Sequence, residues 1–279
     1  MAKRANIIYR WITSLLFIPA LIYIAFNGRV YFLVLVELGM FVGIFEFYDI
    51  LRSKGMQPYK KVGITAAIVL CLTAYFQSYV FTYFVLTLLI VVLSFSELFR
   101  KEHDRAINHI STTIFGILYV GWLLSHLILL RELPTVTGKS YFLGFTYVLL
   151  PFIIGWGYDT GAFFSGRAFG KHKILQRISP AKTWEGAVGG FLLSLIMLFI
   201  YQQVFRLTYL TNFDVVILAF IGCILAQSGD FVESLIKRDA NLKDAGSHIP
   251  GHGGVLDRFD SLLFTAPFVY YYLRFFAER

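Results

Sequence analysis

Apolar runs of membrane-spanning length are the feature that most constrains this chain. A helix needs ~20 mostly apolar residues to cross a bilayer. Segments of that kind fall at roughly 9–27, 30–51, 61–77, 79–98, 109–131, 141–166, 184–204, 213–236 and 259–277. Hydrophobic residues make up 57% of the 279 positions and charged residues only 15%, with a mean hydropathy of +0.67. One water-soluble core could not hide so much apolar surface. The composition therefore excludes a disordered chain, a secreted disulfide scaffold and a water-soluble enzyme. The expected fold is all-α: a polytopic integral membrane protein with about nine transmembrane helices. Spans 3 and 4 are separated only by Gln77 and Ser78, so two helices or one broken helix both stay open.

Positive charge gives the orientation. Lys and Arg crowd into cytoplasmic loops of membrane proteins. Of the 25 such residues, nineteen lie at the N-terminus and after the second, fourth, sixth and eighth spans. The alternation predicts a cytoplasmic N-terminus. Lys3, Arg4 and Arg10 precede the first run as they would in a signal peptide, but no small-residue cleavage pattern ends it near Phe26-Asn27-Gly28. It reads as a retained anchor. Both cysteines, Cys71 and Cys223, sit inside apolar runs and form no disulfide framework. A net charge of +8 comes with no basic nucleic-acid-binding module, so no nucleic-acid partner is expected.

The polar chemistry is lopsided. Spans 1 to 5 carry few acids, chiefly Glu37, Glu46 and Glu97, whereas acids, cations and glycines gather from Asp159 onward. This divides the chain into residues 1–131, helices serving as scaffold or oligomer contacts, and residues 132–279, helices carrying a cytoplasm-facing catalytic site. An acid at the centre of a span costs about 2.5–3.5 kcal/mol on the insertion scale, so each one calls for a reason. Asp159 lies in a glycine-rich part of span 6, and Asp230 near the end of span 8. On a helix Asp230, Ser234 and Lys237 are spaced i, i+4, i+7 and share a face, flanked by Arg238. One face thus offers a carboxylate for a hard cation, a hydroxyl and two cations suited to phosphate.

The loop that follows holds Lys243 and Asp244, then Pro250-Gly-His-Gly-Gly254, then Asp257-Arg258-Phe-Asp260. Asp257 and Asp260 are three apart and can point the same way. Glycines permit close backbone approach, and a helix N-terminus there suits a phosphate. The loop between spans 6 and 7 is a second cluster, with Lys171 and Lys173, then Ser179, Lys182, Thr183 and Glu185. For Lys171 and Lys173 the positive-inside rule is an equally good account. Ser179-Pro before Lys-Thr-x-Glu-Gly also reads as a cap entering span 7. Gly166-Arg-Ala-Phe-Gly170-Lys-His falls one residue short of a P-loop and lacks its Ser or Thr. His248 and His252 have zinc spacing, but Pro250 and Gly251 break any helix between them. His109 and His126 read as core or interface residues.

The run Ser234–Asp260, SLIKRDANLKDAGSHIPGHGGVLDRFD, closely resembles the signature of the phosphatidate cytidylyltransferases. Upstream, YDTGAFFSGRAFGKHK and SPAKTWEG resemble that family's other two motifs in the same order. Bacterial members are nearest in size and layout. The resemblance implies a reaction of CTP with phosphatidate in the bilayer, giving CDP-diacylglycerol and pyrophosphate with Mg²⁺. It leaves room for a second, monovalent cation such as K⁺. It implies a multi-pass protein of the inner, cytoplasmic membrane with its site on the cytoplasmic face. On this reading Asp230 and Asp257 are the metal carboxylates, with Asp159 and Asp260 as second candidates. Lys237, Arg238, Lys243 and Arg258, with Asp244 beside them, handle phosphate charge. Ser179, Lys182, Thr183, Glu185, Ser234, His252, Gly253 and Gly254 line the nucleotide's side. Alternatives of other classes are a CTP-dependent transferase acting on another lipid, and a solute transporter. The aromatic-rich early spans are compatible with a homodimer interface or with facing lipid.

Overall fold

A computed structural model describes residues 16–100, 104–246 and 254–277. Every named element among them is helical. The helices are α1 Leu16–Asn27, α2 Arg29–Ser53, α3 Lys60–Tyr75, α4 Tyr79–Leu98, α5 Ala106–Gly116, α6 Leu123–Thr137, α7 Phe142–Phe169, α8 Trp184–Val204, α9 Asn212–Asp239 and α10 Leu256–Tyr272. A π-helical turn, Ile117–Trp122, joins α5 to α6 without a break, and another, Leu273–Ala277, follows α10.

Six stretches are long and apolar enough to cross a membrane: Arg29–Ser53, Tyr79–Leu98, Ala106–Thr137, Phe142–Phe169, Trp184–Val204 and Asn212–Asp239. The segments expected as the third and last spans are shorter helices, of 16 residues in α3 and 17 in α10. Where hydropathy left one run or two, the structure has two helices. Gln77 takes a left-handed φ of 52°, and Ser78 caps α4 by accepting from the Phe81 amide.

The chain divides into two compact units. One comprises the described residues within Met1–Glu132 and Asp239–Arg258, the other those within Leu133–Arg238 and Phe259–Arg279. In the first, several buried polar groups have partners on other elements, whereas buried Glu37 Oε1 has no hydrogen-bond partner among the described residues. Tyr48 donates to the Thr113 carbonyl at 2.8 Å, and Glu97 accepts from Tyr59 at 2.6 Å and faces His109 Nδ1 at 3.0 Å. Arg131 is only 1% exposed, and its guanidinium donates to the carbonyls of Ala25 and Phe26 at the end of α1, at 2.7 and 3.1 Å. A cation is well placed against the unsatisfied carbonyls of a helix C-terminus.

In the second unit α7 and α8 approach along small residues. A Cβ on Gly161 would strike the Gly189 carbonyl and the Gly190 backbone, and one on Gly157 would press on Ser194. Ser165 bridges the pair, donating to Gly161 O at 2.6 Å and Gly186 O at 3.3 Å. Lipid tails give no hydrophobic drive between helices, so close van der Waals contact through small residues has to hold them. Gly161→Val should destabilise the unit by roughly 1–3 kcal/mol, the usual cost of overpacking. A lowered thermal midpoint of the purified protein in detergent is the expected reading.

Candidate active site

Close packing of α7 on α8 folds the segment between them into a short hairpin. Lys173 and Thr183 form an antiparallel bridge. Ile174 donates to Lys182 O at 3.2 Å, and Trp184 to His172 O at 2.9 Å. The cap entering α8 is Thr183, not Ser179: its hydroxyl accepts from the Gly186 amide at 3.1 Å. Ser179 lies farther out in the loop, half-buried. Glu185, expected beside the nucleotide, turns back on the hairpin. It accepts from the amides of Lys171 and His172 at 3.1 and 3.2 Å and meets His172 Nδ1 at 2.6 Å. Lys171 and Lys173 themselves are exposed.

This hairpin delivers Lys182 to α9. The Lys182 Nζ lies 2.5 Å from Asp230 Oδ2, the two side chains being 22% and 30% exposed, and sits over the Phe231 ring, 4.6 Å from its centre. A fully exposed ion pair is worth only about 0–1 kcal/mol; this one is partly withdrawn from water and backed by an aromatic face. Ser234 donates to Asp230 Oδ1 at 3.1 Å, as the i, i+4 spacing predicts. Asp260 is within electrostatic reach of Asp230, Asp159 and Lys182. Gly229 makes room for it, since a Cβ there would collide with the Asp260 carbonyl. Three of the four carboxylates singled out for metal thus gather in one unit, with Lys182 paired to Asp230.

Lys237 completes the face of α9, but toward a partner not expected from the sequence reading. Its ammonium lies 3.3 Å from Glu233, which is 1% exposed. The i, i+4 spacing of Glu233 and Lys237 is a signal legible in the sequence. Arg238 is exposed, and the neighbouring Asp239 pairs with Lys54 at 2.9 Å.

The signature segment lies in the first unit. Lys243 and Asp244 are exposed, as is Arg258. His252 and Gly253 fall outside the described residues, with His248 and Pro250. Asp257 Oδ2 accepts from the amides of Ala245 and Gly254, at 3.1 and 2.8 Å, so it ties together the two edges of the glycine-rich loop. The next amides, Val255 and Leu256, donate to the two oxygens of Glu46 on α2, at 3.1 and 2.8 Å. The expectation that this helix N-terminus offers its amides to a phosphate is therefore corrected: carboxylates already occupy them.

Among the described residues no three His, Cys, Asp or Glu side chains form a ready-made metal centre. Mg²⁺ asks for less, being held by one or two carboxylates together with substrate phosphates and water. The oxygen-only set of Asp230, Asp260 and Asp159, whose mutual repulsion a hard cation would relieve, fits that requirement.

A sequence profile described as the cytidylyltransferase family matches residues 8–276. The chain belongs to the cytidylyltransferase family. It is accordingly a membrane enzyme of the nucleotidyltransferase class. Two relatives match over most of the length and a third over about half of it. A phosphatidate cytidylyltransferase of Bacillus subtilis is 29% identical over 274 residues, covering 96% of this chain and 98% of its own. One from Synechocystis is 32% identical, covering 88% and 89%. One from Haemophilus influenzae reaches 42% over 135 residues, 47% of each chain. In this cytidylyltransferase the Thr183 cap also carries a stability of its own. Thr183→Ala should cost about 1 kcal/mol of stability, whereas Thr183→Ser, which keeps the hydroxyl, should melt close to the parent.

Proposed function

We propose that the enzyme transfers the cytidylyl group of CTP to phosphatidate, yielding CDP-diacylglycerol and pyrophosphate for phospholipid synthesis. The observation that carries this reading is the likeness to the Bacillus subtilis phosphatidate cytidylyltransferase across 96% of this chain and 98% of that one. The cluster of Lys182, Asp230, Ser234 and Asp260 supports it chemically. A lipid phosphate must meet a nucleotide triphosphate, and two anions approach only where charge is neutralised and geometry held.

A phosphatidate oxygen attacks the α-phosphorus. A new P–O bond forms while the bond to the bridging oxygen of the β-phosphate breaks, and that oxygen leaves with the electron pair as pyrophosphate. The lipid phosphate is itself the nucleophile, so no covalent enzyme intermediate is required. Lys182 stabilises phosphate charge beside Asp230, and Ser234 orients that carboxylate. Asp230, with Asp260 and Asp159 as further candidates, would hold Mg²⁺, which supplies charge neutralisation and Lewis acidity when bound. A second, monovalent cation such as K⁺ is compatible with the same oxygen-rich set. Asp257 stays a metal candidate on its place in the signature, and Lys237, Arg238, Lys243 and Arg258 are proposed to attract the nucleotide. Ser179, Thr183 and Glu185 are proposed to shape the hairpin on its CTP side.

The distribution of Lys and Arg supports nine crossings of the inner membrane, a cytoplasmic N-terminus and a site that takes CTP from the cytoplasm. The aromatic early spans suit a homodimer contact.

Purified protein in liposomes with phosphatidate, Mg²⁺ and cytosine-labelled CTP should place label in the lipid extract and release pyrophosphate. EDTA should abolish both. Asp230→Asn should lower turnover by about 10²-fold or more at unchanged protein level. Transfer only onto a different lipid would overturn the substrate assignment, and near-parent turnover of Asp230→Asn would overturn the site.

A further inference from the structure

The catalytic half of the sequence accounts for its own acids; Glu46 does not belong to it. It lies on α2, 209 and 210 residues away in sequence from the amides it binds, and it is 1% exposed. A carboxylate in such an apolar helix is costly unless its oxygens find donors. Both do: Oε1 takes the Val255 amide at 3.1 Å and Oε2 the Leu256 amide at 2.8 Å.

These amides are among the orphan donors at the start of α10. The ordinary solution is a Ser, Thr, Asp or Asn at the cap position, yet the chain there reads Gly254-Val255-Leu256 and offers no such side chain. The next residue, Asp257, accepts from the Gly254 and Ala245 amides. Gly254 is the residue that permits the remaining contact, because a Cβ on it would stand 2.8 Å from Glu46 Oε2. Sequence and geometry agree that the cap is supplied by another helix of the same chain.

We propose that Glu46 is a positioning residue for the reaction: by capping α10 from α2 it fixes the helix's first turn and so aims Asp257 and Arg258. Glu46 touches no reacting group. It acts through the backbone of residues 254–256, whose placement sets where the Asp257 carboxyl sits and how the two edges of the glycine-rich loop are held. The inference rests on the reading of Asp257 and Arg258 as metal- or phosphate-handling residues.

Glu46→Gln is nearly isosteric but can accept from one of the two amides only. Two measurements on the full-length protein in nanodiscs test the proposal. Hydrogen–deuterium exchange over residues 254–262 reports the cap whatever the substrate; the variant should exchange about tenfold faster there and unchanged in α8. Steady-state kinetics with CTP and phosphatidate should show the Mg²⁺ half-saturation raised by about 10-fold, the range typical when support of a metal ligand is lost. Met40→Ala, which removes a buried side chain of the same helix, serves as the comparison. It should lower the thermal midpoint and leave the Mg²⁺ half-saturation in place.

Unchanged exchange in Glu46→Gln would overturn the cap. Faster exchange with unchanged Mg²⁺ half-saturation, or an equal shift in Met40→Ala, would reduce Glu46 to a structural role and overturn the positioning. Failure of the parent enzyme to make a cytidylyl lipid would instead strike the functional reading, with the exchange arm still deciding the cap.

Discussion

Most of the acids and cations buried in these apolar helices have a partner built in, Glu37 Oε1 being an exception, and these pairings order much of the molecule. Arg131 is satisfied by helix-end carbonyls, Glu97 by Tyr59 and His109, Glu46 by two backbone amides, Glu233 by Lys237 and Asp230 by Lys182 and Ser234. Each partner comes from another element or from one helical turn away. Polar positions therefore act as fixed points of the fold, and the apolar remainder packs around them or faces lipid. Because the points are few, losing one partner leaves a costly orphan rather than a slightly weaker contact.

The second unit turns this rule into chemistry. Glycines and Ser194 bring α7 and α8 together, the short connection bends into a hairpin, and the hairpin presents Lys182 to Asp230. What results is a group of carboxylates with the Lys182 ammonium among them. A transporter would place polar groups along a path; here Asp159, Lys182, Asp230 and Asp260 gather within one unit.

Much of this was legible in the sequence, for physical reasons. Run length and low charge density dictated membrane helices, and the i, i+4 rule placed Ser234 against Asp230. Glu233 and Lys237 obey the same rule and could have been read the same way. The break between α3 and α4 was not decidable from hydropathy, because Gln77 and Ser78 are only mildly polar; it depends on a left-handed residue and a hydroxyl cap. The stretch from Ser179 to Gly186 was legible as a cap, and the structure gives that role to the Thr183 hydroxyl. Glu46 was visible as an isolated acid in an apolar run, but its partners are backbone amides about two hundred residues away, and amides carry no sequence signal. For the same reason the α10 N-terminus looked open to phosphate until its donors could be counted.

The central claim is that the lipid phosphate attacks the α-phosphorus of CTP. Parallel reactions with CTP carrying ³²P at the α or at the γ position test it directly. The account predicts α-label in the lipid extract and γ-label in pyrophosphate, in equal molar amounts. Recovery of γ-label in the lipid, or of α-label solely in water-soluble products, would contradict it.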